Sequence, residues 1–339
     1  MSRLALLVSA AIIVVAIVPL IANPLGQAAL VTLIARIMIF AIAAASLNLI
    51  LGYGGLASFG HAAFFGIGSY VVGILYHHYS EGTKLFGFVP GSDQLLITLP
   101  AAVLVAGLFA LVIGALALRT GGVQFIMITL AFAQMLFFLF VSLKTYGGED
   151  GITIRRANSL FFLDLRDRVT MYYVILIATV LSFAFLWRVV HSSYGAVLAG
   201  IRQSERRMTA MGIDTYRYKL YGFVLAGMMA GFAGGLLAVL MRFTSPETLH
   251  WTMSGELMIM VILGGVGTFF GPIWGAALYL VLETYLRSWT DNWQLVMGLI
   301  LLLVVLGTRG GVQGLINLVG GRDHSISMNE ATSADGVAR

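Results

Sequence analysis

Two stretches of this chain set polar side chains among glycines and long apolar runs. The first, Asn48 to Tyr70, reads NLILGYGGLASFGHAAFFGIGSY, with glycines at 52, 54, 55, 60, 66 and 68. Asn48, Ser58 and His61 bring hydrogen-bonding groups into an otherwise apolar run. Such groups are costly in lipid, so they are expected to face a bundle interior or a cavity. Glycine-interrupted backbone is tolerated there only where its freed N–H and C=O groups find partners or line a water-filled space. Two readings follow. In one, Asn48, Gly54, Gly55, Ser58, Gly60 and His61 line a substrate path. In the other, the same residues glue helices together, as Gly and Ser do at membrane helix contacts.

Arg36, Glu256 and Glu283 are charged residues inside apolar segments. An intramembrane ionisable group is by default a functional hypothesis with a partner to be named. Glu256, in Ser254-Gly255-Glu256-Leu257, is expected near the outer end of its span and joins the candidate substrate path. Its alternative is an outer-end carboxylate that reaches water. An ion-coupled transporter working alone would depend on charges of this kind, and the chain offers few.

The second stretch, Gly195 to Gly222, reads GAVLAGIRQSERRMTAMGIDTYRYKLYG. On one continuous helix, Leu198, Ile201, Met208 and Met211 form a narrow apolar stripe, with Arg202, Glu205, Arg206 and Arg207 on the remaining surface. Gly212 suits a C-terminal cap. A short amphipathic helix between two spans can anchor at the bilayer surface or dock into a partner's groove.

Other chemistries are excluded. The lysines are Lys84, Lys144 and Lys219, and none follows a glycine, so a phosphate loop of the G-x-x-x-x-G-K-[ST] type is impossible. There is no cysteine, no His-Glu-x-x-His and no G-x-S-x-G elbow. The chain is therefore read as non-catalytic, with no metal and no cofactor of its own; any ATP that drives it is used by another chain. A net charge of +5 gives no case for nucleic acid.

The elements that must position these groups are membrane helices. The chain is 59% hydrophobic and 10% charged, with mean hydropathy +0.94, against about 25% charged residues in a soluble domain. A bilayer core about 30 Å thick needs about 20 apolar helical residues. Ten segments fit: 4–22, 27–51, 54–76, 94–118, 122–143, 170–190, 220–241, 249–265, 269–287 and 291–307, the shorter ones as partial or re-entrant elements. The runs are continuously apolar rather than alternating, which selects helices over a barrel. The expectation is an all-α polytopic transmembrane bundle of about 8–10 membrane segments spanning 1–321, followed by a polar, disordered tail at 322–339. The basic start and apolar run of 4–22 resemble a signal peptide, but the run is long and lacks a clear cleavage site, so it reads as the first membrane helix.

Placing residues 191–219 inside puts 11 Lys/Arg inside and 8 outside, with Arg36 within a span. That is a narrow majority by the positive-inside rule. Two short motifs recur: Ile50-Leu51-Gly52-Tyr53-Gly54-Gly55 resembles Ile262-Leu263-Gly264-Gly265, and Gly121-Gly122-Val123-Gln124 reappears at Gly310-Gly311-Val312-Gln313. A parallel internal repeat would produce this spacing, and so would chance in a chain with 40 glycines.

The Asn48–Tyr70 stretch, the segment IRQSERRMTAMGI with RYKLYGFVLAGMMAGFAGGLLA after it, and SGELMIMVILGGVGTFFGPIWGAALYLVLE together resemble the branched-chain amino acid permeases of ABC importers, the LivM type, over about Leu33 to Leu306. The resemblance implies a five-part importer in a bacterial inner membrane. This chain and a LivH-type permease would form the pathway, two cytoplasmic ABC ATPases would power it, and a periplasmic substrate-binding protein would deliver the solute. Residues 191–219 would be the cytoplasmic coupling loop, with Leu198, Ile201, Arg202, Glu205, Met208, Met211 and Gly212 coupling to the ATPase. One departure stands out: the Glu-Ala-Ala core of the wider permease motif is replaced by Glu205-Arg206-Arg207. Urea, short amides and aromatic or other carboxylates are alternative substrates within the same fold.

Overall fold

The computed structural model describes residues 28–85, 89–155, 167–290 and 292–307, with short pieces at 13, 15–20, 159–160 and 163–164. Its helices, in chain order, are α1 (Ala28–Asn48), α2 (His61–Glu81), α3 (Leu95–Ala117), α4 (Val123–Ser142), α5 (Arg168–Val190), α6 (Ser193–Gln203), α7 (Glu205–Ala210), α8 (Thr215–Met241), α9 (Trp251–Gly264), α10 (Gly271–Trp289) and α11 (Trp293–Gly307). The protein is a multi-pass, all-α membrane bundle. Among the described residues, five stretches are long and apolar enough by themselves to cross a membrane: Ala29–Tyr53, Leu95–Ala117, Val123–Ser142, Arg168–Val190 and Thr215–Met241. Helical residues 15–20 are held to α5 by hydrogen bonds from the Tyr172 and Tyr173 hydroxyls to the Val15 and Ala16 carbonyls. The remainder of segment 4–22, the second Gly-Gly-Val-Gln motif and the tail at 322–339 lie outside the described residues.

Small residues build the centre. Helix α8 packs against α2 and α3, with α1 alongside. A side chain added at Gly68 would strike the Gly231 carbonyl, and one at Gly234 would strike the Phe65 carbonyl. Gly227 and Gly231 face Ala110 and Ala106 in the same way. Backbones brought this close gain dispersion contacts in place of the hydrophobic drive that lipid cannot supply. Helices α4 and α5 lie at the periphery and expose Met127, Met135 and Phe138, and Ile177, Leu181 and Phe185.

Two elements are interrupted at membrane depth. Helix α1 runs into a π turn at Leu49–Tyr53, residues 54–60 are non-helical, and α2 begins only at His61 rather than at 54. Gly55, at φ +69°, makes the bend. At the other end of the bundle, Phe243–Thr244 pairs antiparallel with Ile152–Thr153, and a buried 3-10 turn, Pro246–Leu249, packs Leu249 against Gly66. Helix α9 therefore starts at Trp251 and has only 14 residues.

The 195–211 stretch also departs from the single-helix reading. Ser204, at φ −160° and ψ 100°, breaks it into α6 and α7, and its Oγ accepts the Arg207 N–H at 3.3 Å as a new N-cap. A serine hydroxyl offers the backbone this local alternative to continuing a helix. Helix α8 begins at Thr215, five residues before the apolar segment, because Asp214 caps the Arg217 N–H.

Candidate functional site

At one end of the bundle, three sequence-distant pieces meet. The Arg202 guanidinium on α6 donates through Nη1 to the Gly52 carbonyl in the π turn. The Asn48 side-chain amide donates to the Thr268 carbonyl at 2.8 Å, and its Oδ1 accepts the Gly267 N–H at 2.9 Å. Gly55 lies against the Arg202 side chain, which leaves 3.1 Å for a Cβ there, and Gly54 lies against Leu198. Gly265 and Gly267 hold φ of 114° and 79°, conformations open to glycine. The turn at 49–55 between α1 and α2 holds the first copy of the Ile-Leu-Gly echo, and the second copy, at the end of α9, leads into the turn at 265–267 before α10. The structure joins them through one amide and places one arginine across both. A crevice lined by Ala45, Asn48, Leu49, Tyr53, Leu186, Val190 and Phe269 opens beside this joint.

The apolar stripe of the coupling stretch points mainly inward. Leu198, Ile201 and Met208 are buried, and the Met208 side chain lies over Gly200. Met211 is 61% exposed. Gly212 follows α7 at φ +83°, where its N–H and that of Ile213 close the helix on the Thr209 and Met208 carbonyls. Arg206 and Arg207 are exposed. Glu205 accepts from Lys219 Nζ at 2.6 Å and Thr215 Oγ1 at 3.1 Å. The Lys219 hydrogen bond holds its carboxyl below the usual carboxylate range.

Deeper in the bundle, His61 opens α2 fully buried. Its Nε2 lies 2.8 Å from Ser46 Oγ, whose proton goes to the Ala43 carbonyl at 2.7 Å. Nε2 therefore carries the ring proton, and Nδ1 is a buried atom without a hydrogen-bond partner among the described residues. Ser254 Oγ accepts the Ala62 N–H at 2.8 Å, so the starts of α2 and α9 touch. Ser58 is buried and accepts the Gly60 N–H at 3.2 Å; Gly60 packs on Thr129 of α4. Gly55, Leu56, Ala57 and Phe59 keep some surface, whereas every residue from Gly60 to Tyr70 is buried within this chain's own helices.

The intramembrane charges form one cluster. Glu283 of α10 accepts from Arg287 Nη2 at 2.8 Å and lies 3.9 Å from Arg36 Nη2 of α1. Glu256 of α9 is within electrostatic reach of Glu283, Arg287 and Arg36. Arg36 lies over Phe40, and Arg287 lies 4.7 Å from the Trp293 ring centroid. Arg36 is twelve residues from Asn48 and Glu283 twelve from Gly271, where α10 starts, or roughly 18 Å each, and Glu256 is eight residues from Gly264, or roughly 12 Å, at 1.5 Å per residue. Glu256 is five residues into the 14-residue α9, nearer its start than its joint end. Ser46, Ser254, Gly267 and Thr268 were not singled out from the sequence. Arg287 was legible as the i+4 partner of Glu283 on a helix.

A family model described as the permease component of the branched-chain amino acid transport system matches residues 29–305. The chain is 28% identical over 299 residues to the high-affinity branched-chain amino acid transport system permease protein LivM of Salmonella typhimurium, covering 81% of this chain and 68% of the relative. The LivM of Escherichia coli gives the same identity and coverage. A probable branched-chain amino acid transport permease protein LivM of Methanocaldococcus jannaschii is 23% identical over 290 residues, covering 77% and 82%. These relatives are named as transport permeases, not enzymes. No solved structure matches.

Proposed function

The chain belongs to the permease-component family of branched-chain amino acid transport systems, and from that premise we propose that it is one of two permeases in an inner-membrane importer for branched-chain or related hydrophobic amino acids. A LivH-type permease, two cytoplasmic ABC ATPases that use the ATP, and a periplasmic binding protein complete the assembly. The end of the bundle that carries α6 and α7 faces the cytoplasm. Exposed Arg206, Arg207, Glu205 and Met211 meet the ATPase, while Leu198, Ile201 and Met208 hold the pair onto the chain's own bundle.

The observation that carries this reading is the hydrogen bond from Arg202 to the Gly52 carbonyl. It fixes a surface helix to the π turn that starts the interrupted element, and Asn48 extends the link to the second glycine turn. Movement of α6 with an ATPase would then move two interrupted helix pairs as rigid bodies. In this closed arrangement Asn48, Gly54 and Gly55 serve the joint. Ser58, Gly60, His61 and Glu256 remain the path residues, exposed to solute when the joint opens.

Proteoliposomes containing all five components test the proposal. Leucine should accumulate only with ATP inside and binding protein outside. Accumulation driven by an ion gradient without ATP would replace the proposal with a secondary transporter.

A further inference from the structure

The charge cluster on α1, α9 and α10 is uneven in a way that points to a ligand. Glu283 is neutralised twice, by Arg287 and Arg36. Glu256 has neither a hydrogen bond nor an ion pair among the described residues, although it is half-buried and stands near a second carboxylate. Arg36 makes one long contact, at 3.9 Å, and spends the rest of its guanidinium over the Phe40 ring. A carboxylate left unpaired at membrane depth costs several kcal/mol unless it takes up a proton or draws a cation. A guanidinium has five donors, so one loose ion pair leaves capacity for a bidentate carboxylate. An unpaired acid and an under-used guanidinium, on helices that pack together, are complementary to a molecule carrying both an ammonium and a carboxylate.

The cluster's depth supports the same occupant. It lies roughly 12–18 Å from the glycine joint by helical rise, about halfway through a hydrocarbon core of about 30 Å. Both helices it shares with that joint are interrupted: α9 begins late, after the buried turn Pro246–Leu249, and α1 ends in the π turn. The Phe40 ring and the Met253 and Met260 side chains of the surrounding core are apolar neighbours on the same two helices.

We propose that Glu256 and Arg36 form a transit site for a free α-amino acid, Glu256 receiving its ammonium and Arg36 its carboxylate, with Glu283 and Arg287 holding Arg36 in place. This rests on the importer reading and deepens it by assigning the substrate's two charged groups to this chain. Binding stays weak because Glu283 keeps part of the Arg36 charge, as release requires.

The assembled importer without binding protein is the test material. Leucine should raise its thermal unfolding temperature; 3-methylbutylamine, which lacks the carboxylate, and 4-methylpentanoate, which lacks the ammonium, should not. Glu256→Gln and Arg36→Gln complexes that copurify with their ATPases should lose the leucine response and take up leucine about ten- to a hundredfold more slowly, the range for losing a hydrogen bond to a charged group. Equal stabilisation of the wild type by all three compounds, or none by leucine, would overturn the assignment. So would variants that transport leucine at the wild-type rate. If the glutamine variants fail to assemble, Glu256→Asp and Arg36→Lys, which keep each charge but change its reach and geometry, take their place and should lose the leucine response; an unchanged response would overturn the assignment. Failure of the importer reading is distinguishable: the wild-type complex would then show no ATP-dependent leucine uptake at all.

Discussion

Glycine does opposite work in two regions of this molecule. Where α2 crosses α8, Gly68 and Gly234 let backbones touch, and no polar side chain intervenes. In the turns at 49–55 and 265–267, glycine supplies positive φ and bare carbonyls and amides, and the polar side chains of Asn48 and Arg202 fill the space. The first arrangement cannot move without opening a void or a clash, because packed interiors are not continuously deformable. The second can exchange one hydrogen-bond partner for another. A rigid spine and a jointed end therefore arise from the same residue type, and the neighbours decide which.

The comparison predicts that disturbance of the spine destroys the protein, while disturbance of the joint destroys only its action. Gly68→Leu forces a side chain into the Gly231 carbonyl. It should abolish recovery of folded, ATPase-associated chain from membranes, since overpacking typically costs about 1–3 kcal/mol and here meets backbone rather than a flexible side chain. Copurification measures it. Met208→Asp comes next. It removes a buried methionine that rests on Gly200, at a cost of about 1.5–3 kcal/mol. It should release α7 and abolish leucine-stimulated ATP turnover while membrane insertion persists. Gly267→Ala should be milder. A non-glycine residue at φ +79° is strained, by about 1–2 kcal/mol for the left-handed conformation, and leucine uptake should fall in a complex that still assembles.

The smallest effect is expected at Glu205. Its ion pair with Lys219 is half-exposed, and such pairs are worth about 0–1 kcal/mol. Because the Lys219 bond depresses its folded-state pKa, this contribution is present above the ordinary carboxylate pKa and is lost as pH falls through the folded value. Melting curves of the wild type and Glu205→Gln should differ slightly at neutral pH and converge below about pH 4.

Much of the bundle was legible because lipid-facing helices are apolar throughout: Leu95–Ala117 and Val123–Ser142 fall within a residue of their segments. Two central elements were legible as well, since Ala29–Tyr53 and Thr215–Met241 are long and apolar although mostly buried within the chain. Helix α2 was legible as segment 54–76, but its start at His61 was not, because the stretch 54–60 is apolar in composition and non-helical in structure. The break at Ser204 was missed because a hydroxyl cap competes locally with an amphipathic pattern that runs straight through it. Asn48, Arg202, Arg36, Glu256 and Glu283 stood out as polar residues in apolar or coupling segments. Their pairing did not, since the partners lie 220 residues away for Asn48 and Thr268 and further still for Arg36 and Glu283, and nothing in a single sequence specifies long-range contacts.

The central claim is that α6 acts on the interrupted helices through Arg202. The direct measurement is the number of leucine molecules transported per ATP hydrolysed by the reconstituted importer, wild type against Arg202→Ala. ATP hydrolysis should continue while the ratio falls about tenfold, the order expected from losing a charge-assisted hydrogen bond at the joint. An unchanged ratio in an intact Arg202→Ala complex would contradict it.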